Sequence, residues 1–314
     1  MSPEAELRRL VAAQFDLPVS PGARALTTAA LQRHPAARAV LFYGSCLRTS
    51  DDVDGMLDLY VLVDSYATTY DRRLLAWLNQ VLPPNVFYLE APSGDSQVRA
   101  KYAVVTLSSF VSFMADTTQE SYFWGRFAQP VAVVYAASPN VRATLAAGFA
   151  TAVQTFVRNA LALVPHQFRT EELWVAGLSR SYTTELRAEA PDRSAALFAA
   201  FADYYGEATE LALALLPFAT RHVAGGAGFE VDLPDGERRA RLRQWRRRSI
   251  VSKVLSLLRI LRNAYTLEGG PEYAMWKVER HSDFRFDKTW RAKPIPLLAL
   301  AREAWRAWRA GAFR

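Results

Sequence analysis

The sequence predicts an α+β fold in three stretches. A mixed sheet with helices occupies residues 1–137, a mainly helical domain residues 138–220, and a basic helix, a connector and a C-terminal amphipathic helix residues 221–314. Three observations lead there. Short apolar, β-branched runs alternate with helical periodicity up to about residue 137; from Pro139 onward the periodicity is helical throughout; and 51% hydrophobic with 22% charged residues is the composition of a packed globular chain.

The elements follow in order. Residues 4–14 and 22–33 carry apolar positions at helical spacing, and the run Ala39-Val-Leu-Phe-Tyr43 then reads as a buried strand stopped by Gly44-Ser45. Met56–Val63 is a second strand, β-branched and apolar, with one carboxylate, Asp58, inside it. A helix is predicted over Thr68–Gln80, then strands over Val86–Glu90 and Ala100–Leu107 separated by a Pro/Gly/Ser loop, and a last strand over Val131–Tyr135. Helices are predicted over Val141–Val164, Thr170–Glu189 and Ala195–Leu216, and a loop over Ala224–Gly236.

Charge and hydropathy narrow the function classes. No run reaches the roughly 18 apolar residues of a membrane span. The first residues, Met1-Ser-Pro-Glu-Ala-Glu-Leu-Arg-Arg, carry early acids and no apolar core of a signal peptide, so the expected location is cytoplasmic. The single Cys46 rules out an internal disulfide and fits a reducing compartment. Net charge is +7, and ten Lys or Arg residues with no acid lie between Arg238 and Arg262. Such a block points to an anionic partner.

The chemistry concentrates at one turn. A strand ending in Phe42-Tyr43-Gly44-Ser45, followed by a strand bearing Asp58, is the arrangement of polymerase-beta-type nucleotidyltransferases. A glycine lets the backbone approach a triphosphate, while a hydroxyl and amides donate to its oxygens. A neighbouring carboxylate can hold a divalent metal against the same phosphates. That superfamily usually carries two Asp residues on the second strand, and the earlier position here is Met56. Asp52, Asp54, Asp64 and Glu90 are the candidates for a further ligand.

The run Phe42-Tyr-Gly-Ser-Cys-Leu47 with Met56-Leu-Asp-Leu-Tyr-Val-Leu-Val-Asp64 resembles the mitochondrial-type CDP-diacylglycerol synthases, the translocator assembly and maintenance protein family. There a Tyr-Gly-Ser turn precedes a Met-Leu-Asp strand, so the missing first Asp is shared. Ala100-Lys-Tyr-Ala-Val-Val105 is similar to the family's Lys-Tyr-Gly strand. Tyr122-Phe-Trp-Gly-Arg-Phe-Ala-Gln-Pro130 is similar to its Gly-Arg-Leu-Gln-Lys-Pro segment, without the Lys before Pro. The resemblance is specific over residues 40–190 and faint beyond. It implies a Mg2+-dependent phosphatidate cytidylyltransferase, expected as a prokaryotic member, that makes CDP-diacylglycerol and pyrophosphate from CTP and phosphatidate. Tyr43, Gly44 and Ser45 would bind the nucleotide, Asp58 the metal, and Lys101 and Arg126 would supply positive charge.

A lipid acceptor agrees with the C-terminus. In Pro294–Arg309, Leu297, Ala301, Trp305 and Trp308 share one helical face and Arg302, Arg306 and Arg309 another, the pattern of a helix lying among headgroups. An anionic membrane surface, at the inner face of the cytoplasmic membrane, is therefore the expected partner, and nucleic acid is not. Transfer to RNA, a small molecule or a protein, and a non-catalytic lipid-binding module, are the competing readings. His281, without a second His or Cys nearby, reads as structural.

Overall fold

The computed structural model describes residues 1–49, 56–184, 193–223 and 228–266, with residues 285–287, 289, 302, 303, 305, 306 and 309. Five strands, β1 (Ala37–Tyr43), β2 (Leu57–Val63), β3 (Asn85–Ser93), β4 (Ser96–Thr106) and β5 (Ala132–Ala136), form a mixed sheet in the order β3-β4-β2-β1-β5. Only β2 and β4 run parallel. The two strands that the turn motif singled out, β1 and β2, are thus direct neighbours near the sheet centre.

Strand alternation divides the side chains between two cores. Val40, Phe42, Leu59, Val61, Tyr102 and Val104 face one, which α2 (Pro21–Arg33) closes with Ala23, Leu26 and Ala30. Leu41, Tyr60, Leu62, Ala103 and Val105 face the larger one. There α1 (Pro3–Ala13) packs with α6 (Leu107–Ser112), α7 (Tyr122–Phe127) and the long α8 (Pro139–Ala160). The same cluster continues into α9 (Thr170–Tyr182), α10 (Arg193–Ala199), α11 (Ala202–Ala214) and Trp245 of α12 (Asp235–Thr266), so one hydrophobic core runs across residue 137. Ser2, Ser20 and Ser138 each cap a helix that begins with Pro, accepting an amide hydrogen bond in the first turn.

Several elements differ from expectation. The helix predicted over 68–80 is two, α4 (Tyr66–Thr69) and α5 (Arg73–Val81), because Tyr70 is extended and its hydroxyl accepts from Asn79. The predicted loop between β3 and β4 is a two-residue turn at Gly94-Asp95 flanked by the pair Ser93 and Ser96. Pro92 fits inside β3 because that strand lies at the sheet edge. The helix over 195–216 breaks at Phe201, and of the helix over 170–189 the described part ends at Tyr182. A small sheet of β6 (Gln167–Phe168), β7 (Thr220–His222) and β8 (Phe229–Val231) was not foreseen, and β8 with the start of α12 occupies part of the predicted loop. The remaining short helix, α3 (Ser45–Thr49), follows the glycine turn.

The basic block also differs. Arg238, Arg241, Trp245, Arg248, Arg259 and Arg262 recur at helical spacing on the inward face of α12. Arg238 donates to the carbonyls of Ala162 and Val164. Arg241 and Arg248 converge on Asp116, and Arg248 also donates to Asn159 Oδ1 at 2.6 Å. Burial acts to raise the Asp116 pKa, but hydrogen bonds from Arg241 and Asn159 outweigh it and hold the carboxyl below its usual range. Arg259 grips Glu120 through two bonds of 2.7 and 2.8 Å, and Arg262 donates to the carbonyls of Leu82 and Pro84. Half of the ten cations are therefore structural; the exposed remainder is Arg239, Arg243, Arg246, Arg247 and Lys253.

Candidate active site

Strand register builds the site. Tyr43, the last residue of β1, pairs with Asp58 near the start of β2; Asp58 pairs with Lys101 of β4; and Lys101 pairs with Tyr88 of β3. The four side chains form one row across the sheet, on the face that holds Tyr60 and Leu62. Lys101 Nζ lies 3.2 Å from Asp58 Oδ1, with the two side chains 37% and 20% exposed. Asp58 Oδ2 lies against the turn: Gly44 has φ +92°, and a Cβ there would come within 2.8 Å of that oxygen. Both the backbone conformation and the space therefore require glycine. Exposed Ser45 follows immediately and opens α3.

Above this row lies a solvent-open cleft of about 560 Å³, lined by Tyr43, Gly44, Asp58, Arg126, Gln129 and Tyr182, among others. Arg126 is buried, its guanidinium carbon 4.3 Å from the ring centre of Tyr122 and 5.6 Å from that of Tyr43. It reaches the cleft because Gly125 lets α7 press onto α9: a Cβ at Gly125 would collide with Ser181 Oγ. Beneath, Tyr60 donates to the Tyr122 hydroxyl at 2.8 Å. Burial, reinforced by Tyr122 and Tyr43, pushes the Tyr60 phenol well above its usual pKa, so it stays neutral. The far wall carries Gln129, which donates to the Tyr182 hydroxyl at 3.2 Å, with Arg193, Leu197 and Phe201 from the helices beyond.

The sequence-predicted residues Tyr43, Gly44, Asp58 and Arg126 thus line one cleft, Lys101 joins them through Asp58, and Ser45 adjoins the turn. Of the further carboxylates, Asp64 and Glu90 do not gather there. Asp64, at the opposite end of β2, pairs with Arg38 at 3.3 Å. Glu90 shares the site's sheet face but is held by Arg99 at 3.1 Å and by the Tyr88 hydroxyl. Asp52, Asp54 and His281 lie outside the described residues, and among those described no cluster of three or more His, Cys, Asp or Glu residues could hold a metal. Of the C-terminal helix, Leu297, Ala301 and Trp308 lie outside as well. The guanidinium of Arg309 stands 4.8 Å from the ring centre of exposed Trp305. Gln129, Tyr182, Arg193 and Phe201 were missed. Gln129 sits within the quoted segment before Pro130, whereas the others have no local signature and enter through tertiary packing.

A positive-φ glycine thus sits against a strand carboxylate, with Arg126 lining the cleft and Lys101 paired to that carboxylate. Residues 60–194 match the family model described as "Phosphatidate cytidylyltransferase, mitochondrial". Over this segment, less than half of the chain, the sequence is similar to that family. No curated protein matches the chain. Among the described residues no helix is long and apolar enough to cross a membrane.

Proposed function

We propose that this protein transfers the cytidylyl group of CTP to phosphatidate at a membrane surface. A phosphate oxygen of phosphatidate forms a bond to the α-phosphorus of CTP as the α–β bridging bond breaks, yielding CDP-diacylglycerol and pyrophosphate. The nucleophile is already anionic at neutral pH, so orientation and charge neutralisation carry the step without a strong general base. The observation behind this reading is the contact of Gly44 with Asp58 Oδ2 at the cleft floor, next to a segment that matches the cytidylyltransferase family.

Each residue then has a role. Gly44 and Ser45 present backbone and hydroxyl donors to the triphosphate, and Arg126 and Lys101 neutralise its charge. Asp58 is the one carboxylate among the described cleft-lining residues, which fits Mg2+, an ion usually bound through one or two carboxylates together with substrate phosphates and water. When bound, Mg2+ would draw charge from the attacked phosphate and the departing pyrophosphate. Asp58 would hold it, with Lys101 beside the same carboxylate.

The test uses each of the four nucleoside triphosphates, labelled on the α-phosphate, with Mg2+ and phosphatidate micelles. Organic-soluble label from CTP is expected, dependent on phosphatidate and abolished by chelator. Label transferred instead to RNA or protein, or no label transferred with CTP bound, would replace this reading with another acceptor or a non-catalytic module.

A further inference from the structure

The second half of α12 is amphipathic in reverse. Its inward face holds Arg248, Arg259 and Arg262, while Ile250, Val254, Leu257 and Leu258 point to solvent. These four recur at i, i+4, i+7 and i+8, which is one helical stripe. On α5, Leu74, Trp77 and Val81 form a second stripe at i, i+3 and i+7. All seven are 45–67% exposed, and they are seven of the nine large apolar side chains exposed among the described residues. Isolated exposed apolar residues are ordinary; two aligned stripes are not.

Two arginines of α12 fasten it to the segment that follows α5. Arg259 Nε donates to the Pro83 carbonyl at 2.8 Å, and Arg262 to those of Leu82 and Pro84, the residues that directly follow α5. Inward arginines thus tie α12 to the end of α5, while the apolar stripes of both helices stay exposed. The surface has a basic border: Arg72 and Arg73 at the head of α5, and Arg246, Arg247 and Lys253 on α12, are all exposed, while Asp71 is the sole acid in residues 71–81 and 246–258. Arg259 also links this surface to the cleft, because its guanidinium carbon lies 5.8 Å from the ring centre of Tyr122, the ring on which Arg126 rests.

We infer that the joined outer faces of α5 and α12 dock this protein on an anionic bilayer, their apolar stripes entering the headgroup layer. The inference rests on the proposed reading that the acceptor is a bilayer lipid. Charge selects the occupant. An apolar centre ringed by cations is complementary to a leaflet of anionic headgroups, with Trp77 at the depth that aromatic side chains favour. A second copy meeting the same surface about a twofold axis would bring the two basic borders together and be repelled.

The experiment sediments the full-length protein with phosphatidylcholine vesicles that contain phosphatidylglycerol, in wild type, in the double variant Trp77→Glu with Leu257→Glu, and in the control Trp77→Phe. Both positions are solvent-facing, so each chain should fold, as thermal midpoints would verify. The double variant is expected to lose about tenfold or more in apparent vesicle affinity, a change of one decade or more in the partition constant. Trp77→Phe should bind nearly as wild type does. With a soluble short-chain phosphatidate, turnover by the double variant should equal that of wild type. That arm separates the two readings, since an inactive wild type defeats the proposed reaction while sedimentation still decides docking. Unchanged vesicle binding in the double variant would overturn the inference. So would a wild-type dimer that the double variant turns into monomer, or vesicle binding lost on removing residues 267–314 and unaffected by the double substitution.

Discussion

Asp58 is shared between two neighbours, with Lys101 at 3.2 Å from one oxygen and the Gly44 backbone pressed against the other. A carboxylate so placed contributes little to folding, because ion pairs this exposed are worth about 0–1 kcal/mol after solvent screening. Under the proposed function its charge is used when Mg2+ and the triphosphate bind. Asp58→Asn, which keeps shape and removes charge, should therefore shift the thermal midpoint by no more than about 2–4 °C. Turnover should drop roughly a hundredfold or more, as expected when several kcal/mol of metal and phosphate stabilisation are lost. Calorimetry and steady-state kinetics on the same preparation check both halves. Near wild-type turnover in the folded variant would remove Asp58 from the chemistry.

The elements that frame the site are held by buried polar contacts as well as by apolar packing, and one of these titrates. His34 ends α2 over the sheet, its Nε2 3.2 Å from the Tyr102 hydroxyl and its ring edge-on to that of Tyr102. Burial, with a smaller contribution from neighbouring Arg33, lowers its pKa from 6.5 to about 4. The unfolded chain therefore takes up this proton first. The histidine's contribution is fully present above pH 6.5 and is lost as the pH falls toward 4, at a total of about 3 kcal/mol. In His34→Gln, denaturant midpoints should fall less between pH 7 and 4 than in wild type; parallel curves would show that His34 does not titrate as argued. Most elements around this helix were legible because helical spacing of apolar residues and short apolar, β-branched runs are local signals. The row Tyr43, Asp58 and Lys101 was legible as residue types, yet its geometry depends on register between strands far apart in sequence. The split at Tyr70 and the inward arginines were not legible, since Asn79 and Asp116, their partners, are set by tertiary packing. A helix rich in arginine reads as a surface for an anionic partner until the carboxylates it meets within the fold are known.

Across the whole molecule, the +7 charge and the apolar surface would be two separable sources of the proposed membrane attraction. Five cations of α12 are exposed, and Arg239, Arg243, Arg246 and Arg247 precede the apolar stripe along the same outward face. Their attraction to anionic lipid acts over a screening length of about 8 Å at physiological salt and about 3 Å at 1 M. The area that Trp77, Val254 and Leu257 could bury is insensitive to that screening and is strengthened by salts excluded from apolar surface. Vesicle binding should therefore fall in two stages. As sodium chloride rises toward 1 M, affinity for vesicles containing phosphatidylglycerol should decline and then level off at the weaker affinity that pure phosphatidylcholine vesicles show at every salt concentration. Sedimentation across a salt series with both vesicle types gives the measurement. A decline to no binding at all would mean that the charges act alone and the exposed stripes stay out of the bilayer, whereas binding independent of salt would mean that the arginines of the outward face never meet the headgroups.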